Sequence, residues 1–131
     1  METRNSIKHI LIVEDDRVSI IYIQELINLM DIPGVEIRVN HVFTGERALE
    51  YIREAPCDMV LMDLKLPGMD GLETTRKIKR IRPFLPVIAQ TAFALSGDEQ
   101  KALDAGCNDY ISKPISDKDL GDMIRKYLGL S

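Results

Sequence analysis

"YIREAPCDMVLMDLKLPGMDGLE", residues 51–73, holds an apolar run that ends on Asp63 and turns at once through Pro67 and Gly68. A carboxylate at the tip of a buried strand is costly unless something pairs with it. Asp63 is therefore either a strand-end residue meeting solvent or a charge wanted for chemistry, and the segments on either side decide between the two. "DMVLMD" (58–63) has strand length and is almost continuously apolar. That pattern suits a strand covered on both faces, as in a parallel sheet.

Similar runs recur. "HILIV" (9–13), "PVIAQTA" (86–92) and "DYISK" (109–113) have strand length. In "VEIRVN" (35–40), Val35, Ile37 and Val39 alternate with polar residues, as expected of a half-exposed strand at a sheet edge. Helical periods fill the gaps. Residues 17–30 carry Ile20, Ile23, Ile27 and Met30 on one stripe, and Asp16 is placed to cap them. Thr44 precedes a helix bearing Ala48, Leu49 and Ile52. Asp70 precedes one bearing Leu72, Thr75, Ile78 and Ile81, ended by Pro83. A shorter helix near 97–105 stops at Gly106, and the last carries Leu120, Met123, Ile124, Tyr127 and Leu128.

Five strand–helix units in alternation predict a doubly wound α/β fold, a five-stranded parallel sheet with helices on both faces. A chain of 131 residues, 45% hydrophobic and 29% charged, suits one such domain with one core, here residues 1–131 with the core at about 8–128. No apolar run is long enough for a bilayer, and "METRNSIKHI" lacks the core of a signal peptide, so a cytoplasmic protein is expected. The net charge of −4 argues against nucleic-acid binding. The cluster Lys77, Lys79, Arg80 and Arg82 is expected on the wet face of a helix. Cys57 and Cys107 stand far apart without a CxxC or a nearby histidine, and read as small buried residues of a reduced protein.

In a doubly wound fold the active crevice lies beyond the carboxyl ends of the strands. There the first strand ends in Glu14, Asp15 and Asp16, the third in Asp63, the fourth in Thr91 and the fifth in Lys113. Clustered acids repel one another and call for a cation. An all-oxygen set suits Mg²⁺, and no His or Cys is offered to zinc. A carboxylate can attack phosphorus, with a lysine, a hydroxyl and a metal stabilising the transferring oxygens. Asp63 is the candidate nucleophile.

Taken together and in order, "ILIVEDD", "DMVLMDLKLPGMDG", "PVIAQTA" and "AGCNDYISKP" resemble the receiver domains of two-component response regulators, from about Lys8 to Leu128. The stretch from Ile88 to Ile115 is most similar to receivers attached to hybrid histidine kinases. The resemblance implies a flavodoxin-like sheet of strand order 2-1-3-4-5. It implies Asp63 as phospho-acceptor, and Glu14, Asp15, Asp63 and the backbone carbonyl of Lys65 as ligands of Mg²⁺. Glu14 replaces the commoner Asp, which leaves open whether it binds the ion directly or through water. Thr91 becomes the switch hydroxyl, Tyr110 the switch aromatic and Lys113 the phosphate-binding lysine, with Lys113–Pro114 cis. Lys65 and Phe93 would overhang the site, and a bulky Phe93 is expected to slow entry of hydrolytic water.

The implied function is a phosphorelay receiver. A histidine kinase or histidine phosphotransfer domain donates to Asp63, and a downstream protein reads the face made by the fourth helix, fifth strand and fifth helix. Neither His9 nor His41 is expected at the rim, so the phosphohistidine belongs to a partner. Only "GLS" follows Leu128, so no output module is expected in this chain, which is a monomer or a phosphorylation-promoted dimer. Such a receiver is no enzyme beyond its own phosphorylation and dephosphorylation. Two rivals remain. A haloacid-dehalogenase-like phosphatase normally carries a second aspartate two residues after its nucleophile, where this chain has Lys65. A degenerate receiver serving only as a binding module has no need of Glu14, Asp15, Asp63, Thr91 and Lys113 together.

Overall fold

The computed structural model describes residues 6–92 and 97–130. Five strands alternate with five helices: β1 Ser6–Val13, α1 Arg17–Asn28, β2 Val35–Val42, α2 Gly45–Glu54, β3 Met59–Asp63, α3 Gly71–Ile81, β4 Val87–Thr91, α4 Asp98–Ala105, β5 Asp109–Ser112 and α5 Asp117–Tyr127. All strand pairs are parallel, and the order is β2-β1-β3-β4-β5, as the resemblance implies.

The alternation of side chains along each strand explains why β1 and β3 read as unbroken apolar runs. Ile10 and Ile12 of β1, with Leu61 of β3 and Ile88 of β4, pack against Ile20, Ile23 and Ile27 of α1 and Leu120 and Ile124 of α5. Leu11 and Val13, with Val60, Met62 and Ala89, pack on the opposite face against α2, α3 and α4. Both faces are buried, so both parities must be apolar. β2 shows the half-exposed alternation expected of an edge. Each fully buried aliphatic side chain stabilises the fold by roughly 1.5–3 kcal/mol.

Local chemistry sets the helix starts. Asp16, Thr44, Asp70 and Ser116 have extended backbones, and their side chains accept from the N–H groups of Val18, Arg47, Glu73 and Asp119. α4 differs. It opens after Gly97 without a side-chain cap, ends at Gly106 (φ 109°), and buries only Ala102 and Ala105. It is the helix with the smallest apolar anchor.

Several boundaries depart from the sequence reading. β1 begins at Ser6 and β2 runs to Val42, because the two pair continuously from Ser6↔Val35 to Val13↔Val42. α1 ends at Asn28, leaving Leu29 exposed. The basic cluster is also not uniformly wet. The Lys79 ammonium donates to the carbonyl of Leu85 (2.7 Å) and to Asn108 Oδ1 (2.6 Å), and burial pulls its pKa down. Arg82 donates to the carbonyl of Ala55 at 2.8 Å. Long stems let both side chains lie along the protein while their heads find carbonyls. Cys107 is buried as expected, whereas Cys57 is half-buried, and both thiols are free. No helix among the described residues is long and apolar enough to cross a membrane.

Candidate functional site

The strand parity that builds the core also builds the site. Continuing the row Ile10–Ile12 by two residues reaches Glu14, and continuing Met59–Leu61 reaches Asp63, so both acids leave the sheet on the α1/α5 side. Glu14 is 1% and Asp63 6% exposed. Asp15, the next residue beyond Glu14, is exposed. One carboxylate oxygen from each of Glu14, Asp15 and Asp63 lies within 4.8 Å of the others.

Each buried acid has partners. Glu14 Oε2 accepts from the N–H groups of Asp15 (3.0 Å) and Asp16 (3.3 Å), and Oε1 accepts from Lys113 Nζ at 2.9 Å. Asp63 Oδ1 accepts from the Lys65 N–H at 3.1 Å and lies 3.6 Å from Lys113 Nζ. The ammonium thus sits between two carboxylates, one of them wholly buried. Burial first, then the neighbouring Asp63 carboxylate, push the Glu14 pKa up against the pull of Lys113. Burial pulls the Lys113 ammonium down, but its bond to Glu14 and the charge of Asp63 outweigh that, and its pKa is raised. One ammonium among three carboxylates leaves the rim net negative. With donors that are all oxygen, this cluster fits a hard divalent cation.

Thr91, at the end of β4, is buried, and its hydroxyl donates to Asp98 Oδ2 at 3.3 Å. Tyr110 in β5 packs partly against the α2–α4 side of the core, and the Glu99 carboxylate pushes its pKa up. Lys113–Pro114 is cis. His9 lies within β1, where its backbone N–H donates to Asp58, and His41 packs edge-on against Phe43 on the edge strand. Phe93 lies outside the described residues.

The sequence reading therefore named residues that the fold brings to one rim: Glu14, Asp15, Asp63, Thr91 and Lys113. It missed three neighbours. Asp98 and Glu99 read only as the opening of a short helix. Gln90 pairs in register with Asp63, is 1% exposed, and neither its amide nitrogen nor its oxygen has a hydrogen-bond partner among the described residues. A polar residue breaking the apolar run "PVIA" was the visible signal. Beside this rim, α1 exposes Val18, Ile21 and Tyr22, and an open groove of about 400 Å³ runs between Val18 and Tyr22 and the segment Lys113–Ile115. The Tyr22 hydroxyl bridges it to the carbonyl of Ile115 at 2.5 Å.

Residues 10–125 match the family model described as the response regulator receiver domain. The polar-differentiation response regulator DivK of Brucella ovis is 39% identical over 124 residues, covering 93% of this chain and 97% of the relative. Among solved structures, the receiver domain of the sensor histidine kinase PA1611 from Pseudomonas aeruginosa, with a magnesium ion in its active-site cleft, superposes with a TM-score of 0.83. It is 34% identical and covers 93% of this chain and 98% of that one. A CheY-like receiver domain from Methanospirillum hungatei has a TM-score of 0.80 at 31% identity, with 95% of each chain covered.

Proposed function

Because the chain belongs to the response-regulator receiver family, whose members act in two-component signalling, we propose that Asp63 accepts a phosphoryl group from a phosphohistidine on a partner protein. The observation that carries this reading is the state of Asp63 itself. It is a buried carboxylate at the end of the central strand, oriented by the Lys65 N–H, 3.6 Å from an ammonium and grouped with two more acids. A carboxylate so oriented attacks phosphorus as a nucleophile. The bond from phosphorus to the donor imidazole breaks as the bond to Asp63 forms, and the imidazole leaves with its electron pair. Lys113, now on Glu14, is close enough to turn to the new phosphoryl oxygens, and the Thr91 hydroxyl supplies a further donor.

The acid cluster suits Mg²⁺, which Asp15, Asp63 and the carbonyl of Lys65 would hold. When bound, the ion would offset the charge of the acids and of the phosphoryl oxygens. Both carboxylate oxygens of Glu14 already accept hydrogen bonds, so a share in the metal through water leaves those bonds intact. The donor is a histidine kinase or phosphotransfer domain. Exposed Val18, Ile21 and Tyr22 give it an apolar contact next to the acceptor. Movement of Thr91 and Tyr110 then alters the face of α4, β5 and α5, which a downstream protein reads. The chain acts as a single receiver in the cytoplasm, where Cys57 and Cys107 stay reduced. The net charge of −4 suits protein partners better than nucleic acid.

The test is intact-mass measurement after incubation with acetyl phosphate, with and without Mg²⁺. One Mg²⁺-dependent phosphoryl adduct, absent in Asp63→Asn, is expected. No adduct, with no binding of beryllofluoride, would leave only a phosphorylation-independent binding module. Release of phosphate far beyond the protein present would point to a phosphatase.

A further inference from the structure

The groove between α1 and the segment Lys113–Ile115 has a volume of about 400 Å³, within the range of small-molecule sites, roughly 300–1,000 Å³. Val18, Tyr22 and Ile23 of α1 form one wall, and Pro114 and Ile115 the other. Gln90 also lines it. Ile88, two residues earlier in β4, packs on the α1/α5 side of the sheet, and strand alternation sends the Gln90 side chain to that same side, toward the groove.

The polar side chains around the groove differ in what they have left to offer. The Ser19 hydroxyl donates to Asp16 Oδ2 at 3.0 Å, the Tyr22 hydroxyl donates across to the carbonyl of Ile115, and the Lys113 ammonium is shared between Glu14 and Asp63. Gln90 is 1% exposed, yet neither its amide nitrogen nor its oxygen has a partner among the described residues. A buried carboxamide without hydrogen bonds costs free energy that a matching ligand recovers. Its unspent atoms are an N–H donor and a carbonyl acceptor side by side. The complement is a group with the same pair reversed, which is another amide edge. Charge on the ligand is disfavoured. Apolar walls would strip an ion of its water, and the three carboxylates at the neighbouring rim, against one ammonium, repel an anion.

We infer that this groove is a binding site for a small neutral molecule with an amide edge, a carboxamide or lactam on an apolar body, which pairs with the carboxamide of Gln90. Opening the bond from Tyr22 to Ile115 gives such a molecule its way in. The site is separate from phosphoryl chemistry and stands whether or not Asp63 is the acceptor.

The experiment is NMR titration of the whole chain, labelled at nitrogen and at the methyl groups, with benzamide; ethylbenzene and benzoate serve as controls. Benzamide should saturate with a Kd on the order of 1 mM and shift the Gln90 side-chain N–H signals together with the Val18 and Ile115 methyls. Ethylbenzene, which lacks the polar edge, and benzoate should each bind at least about tenfold more weakly. Gln90→Leu should weaken benzamide about tenfold while ethylbenzene binds at least as well as before, which shows the groove intact. Tyr22→Phe keeps the ring, removes the bond across the groove, and should tighten benzamide about threefold. No saturation by about 10 mM benzamide would overturn the inference. So would equal affinity in Gln90→Leu and wild type, no gain in Tyr22→Phe, or equal affinity for benzamide and ethylbenzene, which would leave an unselective apolar groove. Shifts at the same residues that grow with protein concentration alone would put a second copy of the chain there. A water signal at the Gln90 N–H that benzamide does not displace would give the amide to buried water. Either result would also overturn it.

Discussion

Replacing Lys113 by methionine keeps most of the stem and removes the charge between Glu14 and Asp63. At separations of 2.9 and 3.6 Å, each attraction is on the order of 5 kcal/mol at an effective dielectric constant of 20. Desolvation of the three groups offsets much of this. Removing one partner of a buried pair typically costs about 3–5 kcal/mol, and the 28% exposure of the Lys113 side chain argues for the low end. The acids also have an escape, since Glu14 can take up a proton. Protonating a carboxyl of ordinary pKa 4.5 costs about 3.4 kcal/mol at pH 7 and about 0.7 kcal/mol at pH 5, which caps the penalty at each pH. Without Lys113 the already raised Glu14 pKa rises further. The folded state then holds a proton that the unfolded state has lost, and stability falls as pH climbs above 4.5. Urea melts in chelator should show Lys113→Met destabilised by about 2–3 kcal/mol at pH 7 and by less than about 1 kcal/mol at pH 5. Added Mg²⁺ should recover part of the loss at pH 7. A penalty independent of pH would refute the electrostatic account, and so would none at all.

The other predictions concern backbone fit and thiol chemistry. A Cβ on Gly71 would collide with the carbonyl oxygen of Asp63 and come within 2.7 Å of Leu64 Cα. Gly71→Ala should therefore cost about 1–3 kcal/mol in chemical denaturation. Because the backbone that must yield carries the proposed acceptor, phosphorylation by acetyl phosphate should also slow, by up to about a hundredfold; a stable, fully active variant would contradict this. Burial pushes the Cys57 thiol up to about 11 from 9.0. Its alkylation by iodoacetamide at pH 8 should then run about a hundredfold slower than that of an unfolded control. The folded state keeps this proton where the unfolded state loses it, so Cys57 supports stability below pH 9 and ceases to as pH rises toward 11.

How much of this was legible depended on whether a feature is local. Ile10–Val13 and Met59–Met62 announce burial on two faces by composition alone, and Asp16, Thr44 and Asp70 cap helices through bonds to N–H groups two or three residues on. The acids were legible because strand alternation and a shared sheet edge bring Glu14 and Asp63 together once the topology is known. Lys79 was misread because its partners, Leu85 and Asn108, come from a loop and from the segment before β5. Asp98 was missed for the same reason: nothing near it in sequence shows that its carboxylate meets a hydroxyl at the end of β4. The early start of β1 escaped because pairing with β2, and not apolar character, makes Ser6–Lys8 a strand.

The unpaired carboxamide of Gln90 bears on how this chain would respond to selection. A buried amide without partners gives up roughly 1–3 kcal/mol relative to a satisfied or apolar group. A library screened only for heat resistance should therefore return Leu or Met at position 90 early. Residue 90 is also the register partner of Asp63 and the neighbour of Thr91, so it stands beside the proposed acceptor and the proposed switch hydroxyl. Selection for heat resistance and selection for signal output would then favour different residues at one site, and a design campaign that rewarded melting temperature alone would drift toward a sturdier protein with a weaker response.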